Sequence, residues 1–313
     1  MLAILSITLP IYVIIALGYG CVLKGVFKPA TMPVFGSYVM NIALPALLFQ
    51  AVATRSVAEV FNLTYMAIYL TGALATIAVG FLAFSALRLS PRRRAVALMG
   101  ISCPNSGFIG YPVMLLTFPA IAGQILALNM LVENFVIIPV CLALMEASKA
   151  EDAHIVRKLG NILFGVLKRP MVLGLIAGLI VSLTGIDIPE PVNRIFTMLA
   201  ASASALALFV IGGGLVGAPL RGNWASAVQI AVGKLFLNPA MAALALLVLP
   251  ALGLAPLSPE LAAAVVISAA IPMFSIYVIF AQEMGHEGMA SIAQIIATSA
   301  AFITLSALLY ALL

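Results

Sequence analysis

Cys103-Pro104-Asn105-Ser106-Gly107-Phe108-Ile109-Gly110-Tyr111-Pro112 lies inside an apolar run, yet holds two prolines, two glycines and an asparagine within ten residues. A proline inside a helix removes one hydrogen bond and frees carbonyls. Hydrocarbon cannot satisfy those groups, so a break at this depth must be buried in protein or line a wet cavity. Asn105 offers two donors and an acceptor, which suits a carboxylate that has lost its water. The alternative is a kinked helix in which Asn105 and Ser106 only tie up loose backbone. A polar kink without a ligand would be costly at that depth, which favours a binding site at Pro104, Asn105, Ser106 and Gly107.

The rest of the chain explains why this segment sits in a membrane. Of 313 residues, 64% are hydrophobic and 8% charged, with a mean hydropathy of +1.23. A soluble domain carries about 25% charged residues. No polar linker divides the chain into soluble domains. The composition fits an all-α protein whose solvent is the bilayer. The net charge of +5 does not point to nucleic acid, because the basic residues sit in short loops between apolar runs.

Ten apolar runs are long enough to span: 4–22, 34–53, 62–87, 95–117, 121–145, 170–186, 194–217, 224–250, 260–282 and 289–312. The first lacks a basic leader and a small-residue cleavage site, so it reads as a retained helix. Residues 146–169, with Glu151, Asp152, His154, Arg157 and Lys158, form the longest polar stretch and read as a linker between halves 1–145 and 170–313. Twelve of the fifteen Lys and Arg residues fall in odd-numbered loops. Only Arg55 and Arg194 fall in even ones, and Lys234 is inside a run. This bias places the odd loops and the linker in the cytoplasm and both termini outside.

Five runs per half is an odd number, so similar halves must be inverted in the membrane. Leu89-Ser90-Pro91 opens the fourth run and Leu257-Ser258-Pro259 the ninth, while Pro104 and Pro272 interrupt them; both pairs are offset by 168 residues. Inverted repeats with a broken helix in each half characterise secondary transporters, and half-helix N-termini attract anions. The expected fold is therefore ten transmembrane helices in two inverted five-helix repeats, with broken helices 4 and 9 crossing.

Three segments together carry a family resemblance. They are Asn41-Ile42-Ala43-Leu44-Pro45-Ala46-Leu47-Leu48-Phe49, the Pro104–Pro112 segment, and Ala270-Ile271-Pro272 leading to Phe280-Ala281-Gln282-Glu283. They resemble the auxin efflux carrier family, which includes plant auxin exporters and bacterial malonate and malate carriers. The resemblance runs over nearly the whole chain, and the short linker is similar to that of bacterial members. It implies a bacterial inner-membrane carrier of small organic anions and an elevator mechanism. Helices 1, 2, 6 and 7 would form a scaffold that also makes a homodimer, and helices 3–5 and 8–10 a mobile core. It further implies that Pro104 and Pro272 mark the crossover and that Asn105 is the substrate asparagine. Met273, Phe274 and Ser275 would line the site from the ninth helix, where plant members usually have a glutamine and glycine. Asn41, ahead of Pro45 in the second run, joins the candidate set. Gly212-Gly213-Gly214 in the counterpart seventh run read as thin-backbone packing positions, as do Gly174 and Gly178 in the sixth.

Two charges lie within runs. Glu133 is about twelve residues into the fifth and Lys234 about ten into the eighth, so at 1.5 Å per residue both reach roughly the midplane. An isolated charge there costs at least about 2.5–3.5 kcal/mol. The choices are a structural ion pair, a role in anion binding or proton coupling, or separate wet environments. Cys21, Cys103 and Cys141 read as packing residues, and His154 and His286 as solvent-exposed. No nucleotide loop, zinc spacing or nucleophile triad is present, so neither cofactor, metal nor catalytic residue is expected. A sodium-coupled symporter resembling the bile-acid carriers would favour acids near the ninth-run break, but Ile271 to Phe280 contains none. An intramembrane enzyme would have only Glu133 and Lys234 to work with.

Overall fold

The computed structural model describes residues 2–55, 61–149, 160, 164–165, 167–218 and 221–312. The charged linker residues Glu151, Asp152, His154, Arg157 and Lys158 lie outside them. The described residues are helical, and the helices fall where the apolar runs do. They are α1 (Leu2–Leu23), α2 (Pro29–Ala53), α3 (Leu63–Ala86), α4a (Pro91–Ser102), α4b (Ser106–Thr117) and α5 (Ala122–Ala147). After the linker come α6 (Pro170–Thr184), α7 (Glu190–Gly214), α8 (Trp224–Ala251), α9a (Pro259–Ala270), α9b (Tyr277–Glu283) and α10 (Glu287–Leu312). Seven of these are long and apolar enough to cross a membrane; Ser106–Thr117, Pro170–Thr184 and Pro259–Ala270 are shorter apolar helices.

Helix starts follow short polar side chains. Asn62 caps α3 by accepting from Tyr65 N at 2.9 Å, and Asn223 caps α8 by accepting from Ser226 N at 2.9 Å. Such caps satisfy amides that have no partner within the helix. Ser90 and Ser258, each before a first-turn proline, adopt nearly the same backbone (φ −59°, ψ 152° and φ −59°, ψ 153°).

Four helices contain one wide π turn each: Val39–Ala43 in α2, Ser106–Gly110 in α4b, Glu133–Ile137 in α5 and Gly233–Leu237 in α8. Each ends two residues before a proline, namely Pro45, Pro112, Pro139 and Pro239. A proline ring clashes with the carbonyl four residues back, and the wider turn relieves that clash without breaking the helix.

α1 packs along α7, α6 along α2, and α2 against α7. α3 lies along α8, α8 along α10, and α4a and α9a sit against α3 and α8 respectively. The first group is drawn close by glycine. A Cβ on Gly212 would stand 1.8 Å from Ile15 O on α1, and one on Gly174 2.4 Å from Pro45 O on α2. Gly178 likewise meets Phe49 O, so these glycines do serve close packing. α4a and α9a are instead buried on every side over Ala95–Ser102 and Ala263–Ala270.

Candidate functional site

The two broken helices meet at their breaks. Pro104 and Met273 form an antiparallel bridge. Asn105 N donates to Pro272 O at 2.8 Å, and Phe274 N donates to Cys103 O at 3.2 Å. Each break thus satisfies backbone groups of the other, as burial requires. Pro104, Pro272, Met273 and Gly107 are buried, Phe274 is half-buried and Ser275 is exposed.

Asn105 is buried and does two things. Its Oδ1 accepts from Phe108 N at 3.2 Å, capping α4b, and its Nδ2 donates to Ser275 Oγ of the other break at 3.0 Å. Ser106 Oγ donates to Glu133 Oε1 at 2.5 Å, and Tyr69 Oη donates to the same oxygen at 2.7 Å. Gly107 lets α2 approach, since a Cβ there would lie 2.9 Å from Leu44 Cδ1.

A cavity of about 260 Å³ opens beside the crossover. Asn105, Ser106, Glu133, Phe274 and Ser275 line it, together with Asn41 and Arg169. Arg169, the N-cap residue just before α6, is half-buried and donates through Nη1 to Asn134 Oδ1 of α5 at 2.7 Å. Asn41 is exposed and donates to Ser37 O at 2.8 Å. A second cavity of about 610 Å³ shares Met40, Asn41, Phe108, Ser275 and Ile276 with the first and runs to Pro29 and Ala218.

Lys234 lies apart from this cavity, fully buried, and donates to Ala269 O at 2.8 Å. Asn238 Nδ2 donates to the same carbonyl at 3.0 Å, while its Oδ1 accepts from Thr76 at 3.0 Å. The direct Glu133–Lys234 ion pair considered from the sequence is not among the ion pairs of the described residues: Glu133 accepts from Tyr69 and Ser106, and Lys234 donates to Ala269 O. The reason is the helix dipole. Glu133 meets the N-terminal turn of α4b through Ser106, and Lys234 meets the C-terminus of α9a. Each charge therefore sits at a helix end of the opposite sign.

His286 also departs from expectation. It is half-buried between α9b and α10, and burial followed by the guanidinium groups of Arg93 and Arg92 hold its pKa below the ordinary 6.5. Cys103 and Cys141 are buried neighbours, 3.8 Å apart at sulfur, and both are free thiols.

Sequence reasoning passed over Tyr69, Asn134, Arg169, Asn238 and the buried group in which Tyr65 Oη and Ser268 Oγ each bond Asn129 at 2.9 Å. One signal for part of this was present. Asn41, Ser106, Glu133 with Asn134, and Lys234 each stand four to six residues before a proline inside an apolar run. Those are the residues that the π turns carry, and such turns are frequent at functional sites.

The chain is similar to a protein of Rhizobium meliloti (strain 1021) named "Putative malonate transporter", at 29% identity over 79% of this chain and 77% of that protein. It is also similar to the Escherichia coli (strain K12) "Uncharacterized transporter YfdV", at 28% identity over 65% of this chain and 66% of that protein. A family described as membrane transport protein matches residues 3–311. The paired helix breaks and the cavity beside them thus sit in an integral membrane protein that belongs to this transporter family, the auxin efflux carriers.

Proposed function

We propose that this chain is a secondary carrier of small carboxylates, with malonate-like dicarboxylates foremost, and that it binds them at the crossover of α4 and α9. The observation that carries the reading is the cavity: Asn105, Ser106 at the N-terminal turn of α4b, and Arg169 all line it. An amide and a helix N-terminus suit one carboxylate, and a guanidinium suits a second. At about 260 Å³ the cavity is below the range of drug-sized sites, which fits a small acid.

The transport cycle proposed is an elevator one. The ten helices would all span, as two inverted five-helix units. The contact pattern supports this: α1 on α7 has its counterpart in α6 on α2, and α3 with α4a in α8 with α9a. α4a and α9a also begin and end at the same offset of 168 residues. Helices 1, 2, 6 and 7 would stay fixed, and helices 3–5 and 8–10 would carry the site past them. The Gly107–Leu44 contact and the Arg169–Asn134 bond both cross that boundary. With odd loops cytoplasmic in a bacterial inner membrane, the second cavity opens inward, because it extends to the start of α2 and the end of α7, and the first reaches the same face at Arg169 and Pro170.

Two experiments test this reading. Purified protein should be stabilised by malonate in a thermal-shift screen of mono- and dicarboxylates, because a ligand of the folded state raises its melting temperature. It should also catalyse labelled malonate counterflow in proteoliposomes. If no carboxylate does either, the reading is wrong. For orientation, cysteines at Asp187 and Glu260 should react with an impermeant reagent from outside the cell, and one at Arg157 should not; the reverse pattern overturns it.

A further inference from the structure

We propose that Glu133 is the proton-carrying group of this carrier, so that each carboxylate crosses together with a proton bound there. The proposal rests on the carboxylate reading above and adds the coupling ion to it. Glu133 lines the same cavity as Asn105 and is only 3% exposed. Its Oε1 takes hydroxyl hydrogens from Ser106 and Tyr69. The surrounding titratable or charged groups are Tyr69 and Tyr65 on α3, Cys103 at the α4 break, Cys141 on α5 itself, Lys234 on α8 and Arg169 on α6. Lys234 is committed to the Ala269 carbonyl and Arg169 to Asn134, and no described Lys, Arg or His is within ion-pairing distance of Glu133.

A cavity proposed for an anion is therefore lined by a carboxyl group that has no ion-pair partner among the described residues and is set against the N-terminal turn of α4b. When ionised, Glu133 occupies the favourable end of α4b and repels a second carboxylate brought to Asn105. Two like charges a side chain apart, at the effective dielectric of a protein, change affinity on the order of a hundredfold. Protonated, it is neutral and the helix end is free for the substrate. The balance is simple: a proton from the aqueous phase on the loading side bonds to a Glu133 oxygen, and the same proton leaves to water on the releasing side as the anion departs. No covalent step is involved.

The test uses full-length protein in proteoliposomes with labelled malonate as the probe. Wild type should accumulate malonate several-fold above its gradient-free level when an inward proton gradient is imposed, and uptake should be accompanied by alkalinisation of the external medium. Binding should weaken at least tenfold between pH 6 and pH 8. Glu133→Gln should still exchange malonate in counterflow, which moves no net charge of protons. It should show no proton-driven accumulation, and only the residual pH dependence that malonate's own titration imposes. The wild-type proton flux needs no variant, so misfolding of Glu133→Gln cannot hide the answer. Wild-type malonate uptake without proton movement overturns the proposal while leaving the carboxylate reading intact. A Glu133→Gln protein that still follows the proton gradient overturns it equally. Absence of counterflow in wild type removes the carboxylate reading and this proposal together.

Discussion

The break in α4 and the break in α9 pair with each other through one antiparallel bridge but close their loose ends with different chemistry. In α4 the chain's own short side chains do it: Asn105 caps the second half-helix and Ser106 reaches Glu133. In α9 the residue at the same offset is Met273, which offers no comparable cap, and the carbonyl of Ala269 is held by Lys234 and Asn238 from α8. Neutral, short, cavity-facing groups can exchange partners with a ligand. A buried ammonium on a helix C-terminus is a fixed anchor. Under the proposed function the difference separates binding from holding: α4 would present the site, and the pinned α9 would keep its shape.

The strongest way to break this comparison is to remove the pin. Lys234→Met should cost about 1.5–3 kcal/mol, the range for a hydrogen bond from a charged donor, seen as a clear fall in melting temperature. Adding Glu133→Gln should be additive to within about 0.5 kcal/mol, because the two share no partner. Recovery in the double variant would mean that they act as a pair after all. Next comes Gly100, at the same offset from Ser268 of α9a. A Cβ there would lie 2.7 Å from Tyr277 Oη, so Gly100→Ala should cost about 1–3 kcal/mol by overpacking. A neutral Gly100→Ala would mean that α9b can shift away from α4a. Asn105→Met gives α4 the side chain of α9. It should lose malonate binding, while losing only about 1 kcal/mol of stability with the cap; a large loss of folding instead would make Asn105 structural.

The smallest effect concerns His286. Its folded pKa is depressed, so its stability contribution is complete above the ordinary 6.5 and is lost as pH falls toward the lower folded value. His286→Gln should remove that acid sensitivity. The change should be no more than a few tenths of a kcal/mol, since solvent screens a group this accessible. A melting curve from pH 7 to 5 that is the same for both proteins would place His286 in open water.

Much of this was readable from the chain because the bilayer leaves few options. Apolar length placed the helices within a few residues, as for run 121–145 and α5 (Ala122–Ala147). Proline, glycine and asparagine in one apolar run marked the α4 break. The relation of Glu133 to Lys234 was not readable, because position along a helix gives depth but not rotation about the axis. Both residues lie midway along apolar helices, yet one bonds Ser106 at the start of α4b and the other Ala269 near the end of α9a. Tyr69 and Asn238 were missed for the same reason: Tyr69 becomes a partner only once α3 is set against α5, and Asn238 only once α8 is set against α3 and α9a. Arg169 was counted as a loop charge reporting topology, while its side chain reaches back into the cavity.

Asn105→Asp tests the central claim most directly, because it keeps the side chain's shape and replaces the amide donor with a carboxylate against the substrate. Malonate binding would be measured by thermal shift and by counterflow on a monodisperse variant, with Asn105→Ala alongside. Loss of one or two hydrogen bonds to an ionised group, each about 1.5–3 kcal/mol, should weaken Asn105→Ala roughly tenfold to several hundredfold. Asn105→Asp should retain the cap on α4b, melt close to wild type without ligand, and bind no measurable malonate. Binding by Asn105→Asp equal to wild type would place the anion site away from the α4–α9 crossing and contradict the account.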